Sequence, residues 1–270
     1  MPRFGVCTGL ENAAMLKAAG WDYVEGHVQR LLQGEMADAD WHVATAIRAA
    51  ALPVEAANCL VPAGLKITGP EADPARLQAY MERVIRRAAE VRIETLVLGS
   101  GAARRAPEGF SHDEARAQLI RFSRMAAEMA ARRGVMIVLE PHNRKECNLI
   151  NSVGDALACL RAVDHPNFMC LVDSWHFWLE DDTLDAVQAA LPWVRHVHLA
   201  DRAGRLAPGQ SITEGCDGDA KKGSDYRGLF GVLKQAGYDG RISAEAAFQP
   251  DMASAAAGVL AFLRREWAAA

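Results

Sequence analysis

What the 270-residue chain lacks narrows the field first. No uninterrupted apolar stretch approaches membrane-spanning length, and the start, Met1-Pro-Arg-Phe-Gly-Val, has no apolar signal core. Those two absences lead to the expectation of a soluble, cytoplasmic protein with no membrane partner. None of the six cysteines (Cys7, Cys59, Cys147, Cys159, Cys170, Cys216) forms a Cys-x-x-Cys pair or a short-interval framework, so core packing in a reducing compartment is expected rather than disulfides. Positive charge is not in excess: the net charge is −4, no basic field collects phosphate backbones, and nucleic acid is not expected as a partner. Aromatics make up only 7%, while 50% of residues are hydrophobic, which allows a large aliphatic core and argues against disorder. No Gly-x-Gly-x-x-Gly follows the first apolar run, so the mark of a dinucleotide-binding sheet is missing.

What is present is alternation. Short apolar runs lie at Phe4–Cys7, Trp21–Glu25, Pro53–Asn58, Thr95–Gly99, Gly134–Leu139, Phe168–Asp173, Val194–His198 and Arg241–Glu245. Helical patterns separate many of them: Asn12–Gly20, Pro74–Val91, Ser111–Arg133, Ser152–Val163, Asp181–Leu191, Tyr226–Gly237 and Ala253–Trp267. Ser111 followed by Glu114 is a capping box, and arginines space the solvated face of the second helix. Strand and helix in alternation give a parallel sheet. Eight such units of roughly 30 residues, with no composition shift to mark a linker, predict a single-domain α/β protein over residues 1–270, a closed (β/α)8 TIM barrel.

The stretch Gly134-Val-Met-Ile-Val-Leu-Glu140-Pro141 runs five apolar residues into a carboxylate, and the next three strands repeat the pattern, ending in Asp173, His198 and Glu245. An ionised carboxylate where a buried strand surfaces is costly unless paired or bound to a cation. In a barrel of this kind the strands' C-terminal ends carry the chemistry, and these four ends are neighbours around the ring. Three carboxylates and an imidazole suit Mn²⁺, Mg²⁺, Co²⁺ or Zn²⁺. Each residue also has a plain structural role open to it, as helix cap or ion-pair partner. His196 and His198 face the same side of their strand, so either could be the ligand; His198 lies nearer the strand end.

A second set of polar residues surrounds these four. Glu146, His176 and Arg205 are placed to hydrogen-bond substrate hydroxyls, although Glu146 could pair with Arg144, His176 could be a core histidine and Arg205 could be solvated. Glu25, His27 and the Arg104-Arg105 pair give weaker signals. A glycine-rich loop from Asp201 to Gly223 (with Gly215, Gly218 and Gly223) follows the seventh strand.

The motifs Leu139-Glu-Pro-His-Asn-Arg-Lys-Glu146 with Asn151, Asp173-x-x-His176, His196-Val-His-Leu-Ala-Asp201 and Gly237-Tyr-Asp-Gly before Glu245 resemble the xylose-isomerase-like barrels. Within them the chain is similar to the sugar (phosphate) isomerases and epimerases, the group of ketose 3-epimerases and hydroxypyruvate isomerases. The resemblance implies one divalent metal ion held by Glu140, Asp173, His198 and Glu245, with Glu140 and Glu245 also moving protons. It implies substrate-hydroxyl contacts from Glu146, His176 and Arg205. Two departures stand out: the loop after His198 is one residue longer, and Thr213 to Gly223 is extended. The DNA-repair endonucleases of the superfamily carry extra histidines after strands three and four and an Asp-x-His after strand seven; Asn58–Gly69 and Gly99–Gly109 contain no histidine, and no Asp-x-His follows Asp201.

The expected activity is metal-dependent isomerisation or epimerisation of a ketose or α-hydroxycarbonyl, by proton transfer through a metal-stabilised enediolate. A dehydratase of an inosose- or dehydroshikimate-like substrate is the alternative, and a non-catalytic sugar- or metal-binding barrel the third. The expected partner is a small sugar-like molecule, and a homo-oligomer is left open.

Overall fold

A computed structural model describes residues 1–211 and 224–270. Cys216, Gly215, Gly218, Gly223 and the extended stretch from Thr213 lie outside the described residues. Eight parallel strands close on themselves: β1 (Arg3–Cys7), β2 (Tyr23–His27), β3 (Val54–Asn58), β4 (Thr95–Leu98), β5 (Met136–Leu139), β6 (Phe168–Asp173), β7 (Val194–Leu199) and β8 (Arg241–Ala244), with β8 hydrogen-bonded back to β1. The predicted TIM barrel is therefore the observed fold. Long helices Pro74–Glu90, His112–Ala131 and Met252–Ala269 cover the outside, and one continuous apolar core lies between them and the strands. Among the described residues no helix is long and apolar enough to cross a membrane, and the five cysteines are unpaired.

Helix starts follow the local chemistry. Ser111 Oγ accepts from Glu114 N, and Asp73 Oδ1 accepts from Ala75 N and Arg76 N, satisfying amides that have no carbonyl partner inside the helix. The region read as a helix over Asp181–Leu191 is shorter, Leu184–Ala190, because Thr183 Oγ1 takes the cap by accepting from Ala186 N. Short helices at Val28–Leu31, Ala44–Arg48, Gly101–Arg104 and Ser174–Leu179 had no periodicity long enough to be read.

The second strand is displaced by two residues from its reading. Trp21 precedes it and packs outward, its indole N–H donating to Ala256 O at 3.1 Å. The shift puts Glu25 in the middle of β2 rather than at its end.

The barrel interior is layered. Arg3, Glu55, Glu94 and Arg241 form ion pairs at the N-terminal end of the strands. Val97, Val138 and Leu171 fill the middle, with Met136 and Met169 packed against them, and the Tyr23 ring is buried beside β1. Gly5 makes room for that ring, since a Cβ there would lie 2.4 Å from Tyr23 carbons. Above this layer the interior turns polar.

Candidate active site

Strand ends deliver the four predicted residues to one place. Glu140 follows β5 directly, its N–H still bonded to Leu98 O at 3.2 Å, and Pro141 then ends the ladder. Asp173 closes β6 and caps the next helix: Oδ1 accepts from Trp175 N at 2.7 Å and His176 N at 3.1 Å. One oxygen thus serves as a cap while Oδ2 faces His198 Nδ1 at 3.8 Å. The helix cap foreseen as one role for Asp173 is observed, and it leaves the second carboxylate oxygen facing the cluster. His198 on β7 sits opposite Asp173 in register, and Glu245 follows β8 with its N–H on Leu199 O.

His198 Nδ1 lies 3.2 Å from Glu140 Oε1 and 3.2 Å from Glu245 Oε2, and one donor atom from each of the four residues falls within 4.8 Å of every other. Glu140, Asp173 and His198 are buried and Glu245 partly so. Three carboxylates facing one shielded point carry negative charge that burial makes costly. The Asp173 carboxyl shows the strain: burial raises it well above the usual carboxylate range, Glu140 and Glu245 add to the rise, and Arg205 opposes it. Burial also works against ionised Glu140, but hydrogen bonds and charge from His142 and His198 hold it well below its ordinary value. An oxygen-rich set with one imidazole nitrogen is the donor chemistry of a divalent cation such as Mn²⁺, Mg²⁺, Co²⁺ or Zn²⁺. The residues present fit such an ion.

The second predicted set converges on the same place. Arg205, partly exposed, lies over the Trp175 ring at 4.4 Å and donates through Nη2 to Glu245 Oε2 at 2.5 Å, so it is tied to the cluster rather than freely solvated. Glu146 does not pair with Arg144, which reaches Glu180 instead; its carboxylate receives Asn143 Nδ2 and faces His142, His176 and Arg205 at 3.8 to 4.0 Å. His176 is buried and stacks on His142 at 4.5 Å, its Nδ1 accepting from Asn143 N at 3.1 Å. Burial pulls His176 down to about 2, so it is neutral at ordinary pH.

Several contributors escaped the sequence reading. His142 Nε2 lies 3.2 Å from Glu140 Oε2, and Asn58 Nδ2 donates to Glu245 Oε1 at 2.7 Å. His142 stands two residues after Glu140, a spacing that could have flagged it; Asn58 closes β3 and could have been found by the strand-end rule applied to Glu140. Glu25, a weak signal in the sequence, is wholly buried with His196 and His198 on its two oxygens. Arg104 is also wholly buried; it donates to the carbonyls of Gly99, Leu149 and Glu140 and so anchors the turn that carries Glu140. A cavity of about 620 Å³ opens beside the cluster, with Glu11, His27, Asn58, Arg205 and Glu245 in its wall. Its size suits a small polar metabolite.

Comparison with known proteins agrees with this architecture. A 3-dehydro-D-guloside 4-epimerase of Escherichia coli (strain K12) is 30% identical over 143 residues, covering 52% of this chain and 50% of that protein. A 3-dehydroshikimate dehydratase of Bacillus anthracis is 28% identical over 129 residues, 46% of this chain and 45% of the relative. The matched stretch thus spans about half the length of these relatives. The crystal structure of a D-psicose 3-epimerase with D-tagatose, from Clostridium cellulolyticum H10, superposes with a TM-score of 0.81 at 16% identity, covering 98% of this chain and 99% of that one, a likeness of fold. The profile described as "Xylose isomerase-like TIM barrel" matches residues 13–265, and the chain belongs to that family.

Proposed function

We propose that the protein is a divalent-metal-dependent sugar or sugar-phosphate isomerase or epimerase acting on a ketose or α-hydroxycarbonyl. The observation that carries the reading is the convergence of Glu140, Asp173, His198 and Glu245 on one point beside a polar cavity. When bound there, the ion withdraws electron density from a substrate carbonyl and makes the neighbouring C–H more acidic.

The chain's own groups do the rest. Glu140 and Glu245 flank His198 on strands far apart around the ring, so their carboxylates approach a substrate from different directions. One takes the α-proton, the freed pair shifts to the carbonyl oxygen as an enediolate, and a carboxyl returns a proton to carbon. Return to the opposite face of the same carbon is epimerisation; return to the former carbonyl carbon, with the hydroxyl proton passing from the α-oxygen to the former carbonyl oxygen, is aldose–ketose isomerisation. Asn58 and Arg205 hold Glu245 by its two oxygens, while His142 holds Glu140 by one. Glu146, His176 and Arg205 line the approach as hydrogen-bonding groups for substrate hydroxyls. Similarity to a sugar epimerase supports this assignment. Similarity to a dehydratase keeps a second outcome in view, loss of water from the same deprotonated substrate.

The test is a panel of ketoses, ketose phosphates, hydroxypyruvate, inososes and dehydroshikimate in deuterated water, with Mn²⁺, Mg²⁺ or Co²⁺, read by NMR and product mass. Deuterium uptake at the α-carbon without mass loss is expected on at least one sugar. Glu140→Gln and Glu245→Gln should each cut that uptake by roughly 10²-fold or more. Retained exchange in both variants rejects the roles given to them, and loss of water assigns the dehydratase outcome.

A further inference from the structure

Beneath the four-residue cluster lies a carboxylate to which the proposed chemistry assigns no task. Glu25 stands mid-strand on β2 and is wholly buried. Its Oε1 is 2.9 Å from His198 Nε2; its Oε2 is 2.7 Å from His196 Nε2 and receives Ser243 Oγ–H at 2.6 Å. Since that hydroxyl hydrogen is spent on Glu25, Tyr23 O–H donates to Ser243 Oγ at 2.7 Å. No lysine or arginine among the described residues pairs with Glu25; its only ionisable partners are the two histidines.

We propose that Glu25 is a positioning residue that sets the tautomer and ring orientation of His198 for metal binding, an inference that rests on the metal-dependent reading of the site. An ionised carboxylate only accepts hydrogen bonds, so the imidazole must carry its hydrogen on Nε2 to meet Oε1. With an ion held at the point shared by Glu140, Asp173 and Glu245, Nδ1 would give up its hydrogen and turn its lone pair there; without one, Nδ1 also meets the Glu140 and Glu245 carboxylates at 3.2 Å. A carboxylate behind an imidazole also increases the basicity of the ligating nitrogen.

The supports of Glu25 keep it from choosing another pose. His196, two residues before His198 on the same face of β7, occupies the second oxygen through Nε2, and its own Nδ1 has no hydrogen-bond partner among the described residues. Ser243 is level with His198 across the β7–β8 ladder, and Glu25 is level with Cys7 across β1–β2, so backbone register fixes these distances. Cys7, Glu25 and His198 also lie within 4.8 Å of one another, but hydrogen-bond donors already occupy both Glu25 oxygens. That trio therefore supports the neighbouring site and is not a second one.

The experiment compares wild type, Glu25→Gln and Ser243→Ala after chelation, titrating each with Co²⁺ by calorimetry and visible absorption. Long-range ¹H–¹⁵N NMR of the Zn²⁺-loaded wild type reads the His198 tautomer. Expected are hydrogen on Nε2 of His198, a roughly 10- to 100-fold weaker Co²⁺ affinity with altered visible bands in Glu25→Gln, and a drop of a few fold in Ser243→Ala, which keeps both imidazole bonds. If Glu25→Gln does not fold, Ser243→Ala carries the comparison. Unchanged affinity and bands in the folded variants, or hydrogen on His198 Nδ1, overturn the inference while the metal-dependent reading stands. A wild type that binds none of these ions overturns that reading and this inference together.

Discussion

Arg205 sits at the meeting point of two demands. Its guanidinium grips Glu245 and lies 3.6 Å from Asp173, yet a cation there also repels a metal ion. Arg205→Ala should therefore bind Mn²⁺ at least as tightly as wild type by calorimetry, while kcat/KM falls about 100-fold because Glu245 loses its orientation. His176 makes a separate prediction through pH. Burial depresses it from its ordinary value to about 2, so below about pH 6.5 the unfolded chain takes up a proton that the folded chain refuses. Stability is then lost as pH falls through that window, with a slope contribution of up to about 1.4 kcal/mol per pH unit. In chelated protein, His176→Asn should flatten the acid limb of a urea-unfolding pH series. An unchanged limb would show that His176 titrates normally.

At the scale of elements, the turn after β5 depends on a residue outside it. Arg104, at the end of the short helix Gly101–Arg104, supplies three donors to buried carbonyls, including that of Glu140. Removing those donors leaves the acceptors without partners, at about 1–3 kcal/mol each. Arg104→Met should lower stability by several kcal/mol and the melting temperature by on the order of 10 °C, read by calorimetry. Activity should fall further than the folded fraction does, since the Glu140 turn loosens. The basic pair Arg104-Arg105 looked in sequence like a weak site signal; its first member is architecture, and Arg105 is exposed.

Across the whole molecule, the four candidate ligands come from β5 to β8, so one ion would tie half the barrel together at its mouth. A ligand that binds only the folded state at about 100 times its dissociation constant adds about 2.7 kcal/mol. Mn²⁺ should therefore raise the melting temperature of chelated protein by about 5–10 °C. Asp173→Asn should abolish that rise while retaining its helix cap, since the amide oxygen can still accept from Trp175 N and His176 N. A full rise in that variant would place the ion elsewhere.

The sequence by itself determined the barrel and the four strand-end residues. Both rest on short-range regularities: apolar runs of strand length between helical patterns, and a change to a metal-ligand residue type at the point where each run surfaces. Parallel topology then carried those residues to one end of the ring, with no need to know any side-chain contact. Only the tertiary structure decided what stands behind and beside them. Glu25 and His196 meet across 171 positions, Asn58 and Glu245 across 187, and Glu25 and Ser243 across 218. Register across β1, β2, β3, β7 and β8 creates such pairings, and a one-residue slip in a strand would send its side chains to the opposite face. No local pattern encodes that register. A mid-strand glutamate such as Glu25 therefore looks like an isolated polar residue in the sequence, and only closure of the ring gives it two histidines and a serine to hold.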